Sequence, residues 1–213
     1  MAENLVPKIA RVLRVPVADP FVKGGVTAYV FASRYDYGEL GRMVEKRESA
    51  ARNESHGRFT IVDAYIALHT PSSVTDDTLE SHLAQQITGV YLASLGQSPH
   101  WFRAGVTKAV AAQLTPRSQT TMDWNDEYTA AFRRLAAPDD FLTGKSTAED
   151  IESLAHGFSR FLLSDARRFR AIMKSLQEGT AFDTAFLRVY GGNPKDVAVV
   201  WARREAQQWQ RRR

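Results

Sequence analysis

The chain has no cysteine among its 213 residues. Disulfides, thiolate metal sites and cysteine nucleophiles are therefore excluded, and the redox compartment is left open. No apolar run approaches the roughly 18 residues a membrane span needs. The start, Met1-Ala-Glu-Asn-Leu-Val-Pro7, lacks a basic stretch followed by an apolar one, so it is not a signal peptide. Localisation is thus undetermined, and any export signal lies outside this chain. The abrupt, proline-rich opening reads as a domain cut from a larger protein or assembly. There is no internal repeat and no low-complexity segment. Net charge is also small, at +4. Arg203, Arg204, Arg211, Arg212 and Arg213 against Glu205 place that whole excess at the C-terminus. A basic end complements the dipole of a C-terminal helix. A phosphate-binding face normally spreads over a folded surface, so no nucleic-acid partner is expected.

What is present is the composition of a globular domain: 44% apolar, 24% charged, mean hydropathy −0.34. Residues 1–25 are punctuated by Pro7, Pro16, Pro20, Gly24 and Gly25. They read as an extension, with Arg11–Val17 as an edge strand. Val26–Phe31 reads as a central strand. Ser33 then caps a helix whose Tyr35, Tyr37, Leu40, Met43 and Val44 recur at near-helical spacing. After a polar connection over 45–57, Arg58–Asp63 and Ala64–His69 read as two short strands, closed by Thr70-Pro71. The sheet is expected to be small and mostly antiparallel, which makes the fold class α+β.

From Asp76 the pattern is helical. Helices are predicted over 78–95, stopped by Gly96, and over 101–114, between Pro99 and Pro116. Others are predicted over 126–135, 147–163, 165–177 and 182–190, the last stopped by Gly191-Gly192. A final one is capped by Asn193 ahead of Pro194, with Val197, Val200 and Trp201 on its apolar face. Trp101, Phe102, Trp124, Phe132, Phe158, Phe161, Phe169, Phe182, Phe186 and Trp201 recur on helical faces and are expected in the core. Gly24-Gly25 lacks the spacing of a phosphate loop and reads as a turn. Asp123, Glu127, Asp139-Asp140 and Glu149-Asp150 read as acids at helix starts rather than calcium ligands.

The stretches His82-Leu-Ala-Gln-Gln86 and Pro99-His-Trp-Phe-Arg-Ala-Gly-Val-Thr107 resemble the two site helices of the peptidase MA-like (gluzincin) superfamily. There, H-E-x-x-H on one helix and a glutamate on the next hold one zinc, because histidines at i and i+4 share a helical face. The downstream Gly157–Leu163, Arg168–Gly179, Phe182–Phe186, Tyr190-Gly-Gly and Trp201 resemble the C-terminal helices of this group. They are especially similar to uncharacterised bacterial, planctomycete-type peptidase-like domains. The resemblance covers 26–203, with 1–25 before it and a basic helix end, 204–213, behind. It implies a zincin-like fold: an N-terminal sheet with a helix, two site helices, then a largely helical half.

The same resemblance implies a lost site. His82 stands at the first ligand, Leu83 at the general base, Gln86 at the second ligand and Ala104 at the third. One histidine cannot hold zinc, and leucine cannot take a proton from water. No zinc or other cofactor is therefore expected, and no catalytic residue. The expectation is an inactive pseudopeptidase serving as a binding or structural module for an unidentified protein or peptide. The cleft beside His100, Trp101 and Arg103 either stays open to an extended peptide or has filled with core. A rewired zinc hydrolase using His82, His100 and a third of the five histidines (His56, His69 and His156 remain) is the alternative. A basic surface-binding module built on the C-terminal arginines is a further one. Ser81 and His82 lack the strand–turn–helix context of a nucleophile elbow.

Overall fold

The computed structural model describes residues 2–17, 21–46, 55–60, 63–70 and 75–211. Pro20, Pro71, Arg212, Arg213 and most of the 45–57 connection lie outside those residues. The class is α+β, with one three-stranded sheet and ten α-helices among the described residues.

The N-terminal segment corrects the first expectation. Instead of an edge strand over 11–17, the chain forms α1, Ala2–Leu13. Leu5, Ile9 and Leu13 recur every fourth residue and are buried together with Val12. This 3.6-residue period outweighs the local β-branched content. Pro7 deletes one backbone hydrogen bond inside the helix. Four buried aliphatic side chains, each worth about 1.5–3 kcal/mol, more than offset it. The helix stops at Arg14, which takes a left-handed φ of 61°. The Val15 N–H donates back to the Ala10 carbonyl at 3.0 Å. The segment is part of the core, not an appendage.

β1 (Thr27–Phe31), β2 (Ser55–Phe59) and β3 (Ala64–His69) form the sheet in the order β1-β3-β2. β1 runs parallel to β3, from Thr27↔Tyr65 to Phe31↔His69. β2 is antiparallel to β3, from Ser55↔Leu68 to Phe59↔Ala64. The sheet is therefore mixed, not mostly antiparallel. The long excursion between β1 and β3, which carries α2 (Arg34–Glu39), permits the parallel pairing. Ser33 caps α2 by accepting from the Asp36 N–H at 3.4 Å, as predicted. The helix then widens into a π-turn, Leu40–Val44. That extra residue per turn breaks the expected apolar stripe beyond Tyr37, which is buried: Met43 and Val44 face solvent, as does Tyr35 in the first turn of α2.

The helical body follows the predicted order. α3 (Asp76–Ser94) is capped by Thr75 and leaves through Gly96 at φ 106°; α4 (His100–Leu114) enters through Pro99. α5 (Gln119–Arg134) starts a full two turns earlier than expected, because Ser118 accepts from the Thr121 N–H at 3.1 Å. Asp123 and Glu127 consequently lie in the helix body, where Asp123 accepts from the Gln119 amide at 2.7 Å. A short α6 (Asp140–Thr143) follows, then α7 (Ala148–Ser164), α8 (Ala166–Gln177), α9 (Phe182–Tyr190) and α10 (Pro194–Arg211). Thr147 and Asp165 cap α7 and α8, Gly191 ends α9 in a left-handed conformation, and Asn193 caps α10. On α10, Val197 and Trp201 are buried, but Val200 is exposed, contrary to its predicted place on the apolar face.

α4 is the axis of the molecule. It packs on α3 along one side and α7 along the other, and its residues 105–111 are all buried. Gly105 makes the second contact possible: a Cβ there would lie 2.2 Å from the Ala155 carbonyl oxygen. Gly157 likewise leaves room for the Tyr128 ring of α5. The sheet attaches to this body through α3, which touches both β2 and β3.

Candidate functional site

α3 carries His82, Leu83 and Gln86, and α4 carries Ala104, on helices that pack side by side. Their environments differ. Leu83 is 5% exposed and belongs to the hydrophobic core. Its burial removes about 1.5–3 kcal/mol of apolar exposure, the ordinary work of a core leucine. Gln86 is half-buried, and its amide donates to the Ser55 hydroxyl of β2 at 3.0 Å. At that turn β2 lies hard against α3: a Cβ on Gly57 would sit 2.9 Å from Val90 and 3.2 Å from the Gln86 side-chain oxygen. His82 and Ala104 are half-buried. The Ala104 carbonyl accepts from the Thr107 hydroxyl at 2.9 Å.

These side chains do not fit a zinc ion. Leu83 and Ala104 carry no donor atom, and Gln86 offers an amide already held by Ser55. Among the described residues, no three His, Asp or Glu side chains are grouped so as to hold a metal ion. Trp101, expected both in the core and beside the cleft, is core: its ring lies 5.3 Å from Phe158 and 5.8 Å from Phe182. His100 is exposed and Arg103 half-buried at the start of α4. Five of the cavities in the described surface, of 370–680 Å³, have none of His82, Gln86, Ala104, His100 or Arg103 in their walls.

A cluster that sequence reasoning missed lies on the other face of the sheet. His56 of β2 meets the Tyr37 hydroxyl through Nδ1 at 2.7 Å and the Glu45 carboxylate through Nε2 at 2.6 Å. The Tyr65 hydroxyl of β3 donates to the same carboxylate oxygen. With Glu45 ionised, Nε2 carries the proton, and Nδ1 accepts from Tyr37. The Glu45 side chain is 2% exposed and that of His56 is 11% exposed. Burial, then the hydrogen bond to Glu45, pushes the Tyr65 hydroxyl above its usual range, with Arg58 opposing. Carboxylate, imidazole and phenol in line form a proton relay in chemical terms. Tyr37, however, is 3% exposed, so the relay lies inside the protein. The described geometry makes it a tie binding α2 and the end of the π-turn to β2 and β3. No motif spacing links positions 37, 45, 56 and 65.

A second buried titratable group is His156 of α7. It is fully buried, flanked by Trp124 and stacked on Tyr128, and neither ring nitrogen has a hydrogen-bond partner. Burial, helped by Arg160 and Lys108, lowers its pKa from 6.5 to about 3. It is a neutral imidazole used as an aromatic filler. No family model, curated protein or solved structure matches the chain.

Proposed function

We propose that this chain is a metal-free relative of the peptidase MA-like fold, working as a binding or structural module without hydrolytic chemistry. The observation that supports it is the environment of the former site positions. Leu83 packs as core, and the Gln86 amide is committed to Ser55 with β2 pressed onto α3. A site helix in that state has traded water and metal for packing. Metal analysis of the purified protein tests this reading: about one tightly bound zinc per chain would overturn it. Reconstruction tests the placement of the two helices. Since Leu83 is core, the informative variant leaves it in place and carries Gln86→His with Ala104→Glu. That variant should acquire zinc; if it folds and binds none, the alignment of α3 and α4 with a zincin site is wrong.

One observation favours a second reading, a hydrolase with a rewired site. The Tyr37–His56–Glu45 relay has the donor–acceptor order of an acid–base centre. Casein hydrolysis by the wild-type protein, lost in a folded His56→Asn variant, would establish it; no hydrolysis by wild type removes it.

A further inference from the structure

The cavity of 370 Å³ enclosed by α5, α7 and α10 is built differently from the other depressions. Its volume is that of a small-ligand site. Arg160 of α7 and Arg204 of α10 both stand in its wall. Neither forms an ion pair with a carboxylate among the described residues. Both are held in place by neutral groups. Arg160 donates to the Asn125 side-chain oxygen at 2.9 Å, and the Arg204 guanidinium lies 5.7 Å over the Phe161 ring. Holding a guanidinium by an amide and a ring leaves its charge unmatched and most of its N–H donors free.

The remaining wall supplies groups of the complementary kind. The Tyr128 hydroxyl, in a residue that is 6% exposed, lies behind the wall beside the Glu205 carboxylate and the Trp201 indole. The Glu205 carboxylate shares the wall and accepts, as does the Ser164 hydroxyl oxygen, whose proton is given to the Phe161 carbonyl at 2.7 Å. The wall thus offers two cations together with hydrogen-bond acceptors.

We propose that this cavity binds a small phosphomonoester that also bears hydroxyl groups. A phosphate monoester carries nearly two negative charges at neutral pH, matching two guanidiniums where a single carboxylate would leave one over. Ligand hydroxyls donate to Glu205 and to the Ser164 oxygen. The assignment stands independently of whether the α3–α4 pair descends from a peptidase site.

Calorimetric titration with ribose 5-phosphate, ribose, inorganic phosphate and succinate tests it. Ribose 5-phosphate should bind saturably and more tightly than inorganic phosphate, and ribose and succinate should not compete. Arg160→Gln and Arg204→Gln, both at exposed positions, should each weaken binding about ten- to a hundredfold, the weight of a charge-assisted contact. Arg188→Gln, on α9 outside the cavity, should leave it unchanged. Glu205→Gln should weaken ribose 5-phosphate but spare inorganic phosphate. The proposal is overturned if ribose 5-phosphate gives no saturable heat, or if the two arginine variants bind as wild type does. Succinate binding equally well, or an oligonucleotide binding more tightly than ribose 5-phosphate, overturns it too.

Discussion

Single residues carry much of the specification here, and two of them make sharp predictions. Gly105 would put a Cβ 2.2 Å from a backbone oxygen of α7, which backbone cannot yield cheaply. Gly105→Ala should therefore lower stability by at least about 1–3 kcal/mol, read as a shifted urea midpoint at unchanged slope. In sequence, Gly105 was legible only as the residue after a vacant ligand position; its packing role needs α7, fifty residues away, to be in place. His156 makes a pH prediction. Its folded pKa of about 3 lies below the ordinary 6.5, so between those values the unfolded chain binds the extra proton. Stability contributed by the neutral ring is complete above pH 6.5 and falls as pH drops, by up to about 1.4 kcal/mol per pH unit. His156→Leu should flatten that part of the stability profile, measured by urea denaturation at a series of pH values. A variant with the wild-type slope would mean that other groups carry the acid sensitivity. His156 itself could be expected from sequence only as a histidine on an aromatic-rich helix. Its burial depends on Trp124 and Tyr128 arriving from α5.

Elements were legible where caps and stops sit beside a clear period. Asn193, the prolines at 99 and 116 and the glycines at 96 and 191, with the apolar period between them, placed α3, α4 and α7–α10 within about two residues. The errors came where two local signals competed. Over 11–17, β-branched residues and Pro16 suggested a strand, whereas Leu5, Ile9 and Leu13 set a helical stripe that starts before the misleading segment. Ser118 was passed over as a cap, and α5 was started late. The parallel β1–β3 pairing was not legible at all, because it depends on a connection rather than on either strand. The helix assignment of α1 is testable through Ile9, fully buried on its inner face. Ile9→Ala should cost about 2–5 kcal/mol in thermal or chemical unfolding. Near-neutral behaviour would return the segment to the status of an extension.

At the scale of the whole molecule, the sequence conveyed the class but not the exposure of the sheet. Among the described residues β1 is an edge strand; it carries no charge, no proline and no bulge, and its Tyr29 and Val30 are exposed. Such an edge is open to pairing with another chain. Light scattering should show association that grows with protein concentration and falls in Val30→Lys; concentration-independent scattering of the wild type would show the edge to be harmless. The attachment of that sheet carries a further consequence. β2 and β3 meet the helices through α3, with the backbone of Gly57 lodged against Val90 and Gln86, whereas α4 is gripped on two sides by α3 and α7. Detaching the sheet breaks one interface; detaching α4 breaks several. Native-state hydrogen exchange should accordingly resolve two tiers, with amides of β1–β3 exchanging through a partial opening and those of α4 and α7 only through complete unfolding. The partially opened form, sheet released and helices intact, is the state a protease would meet first.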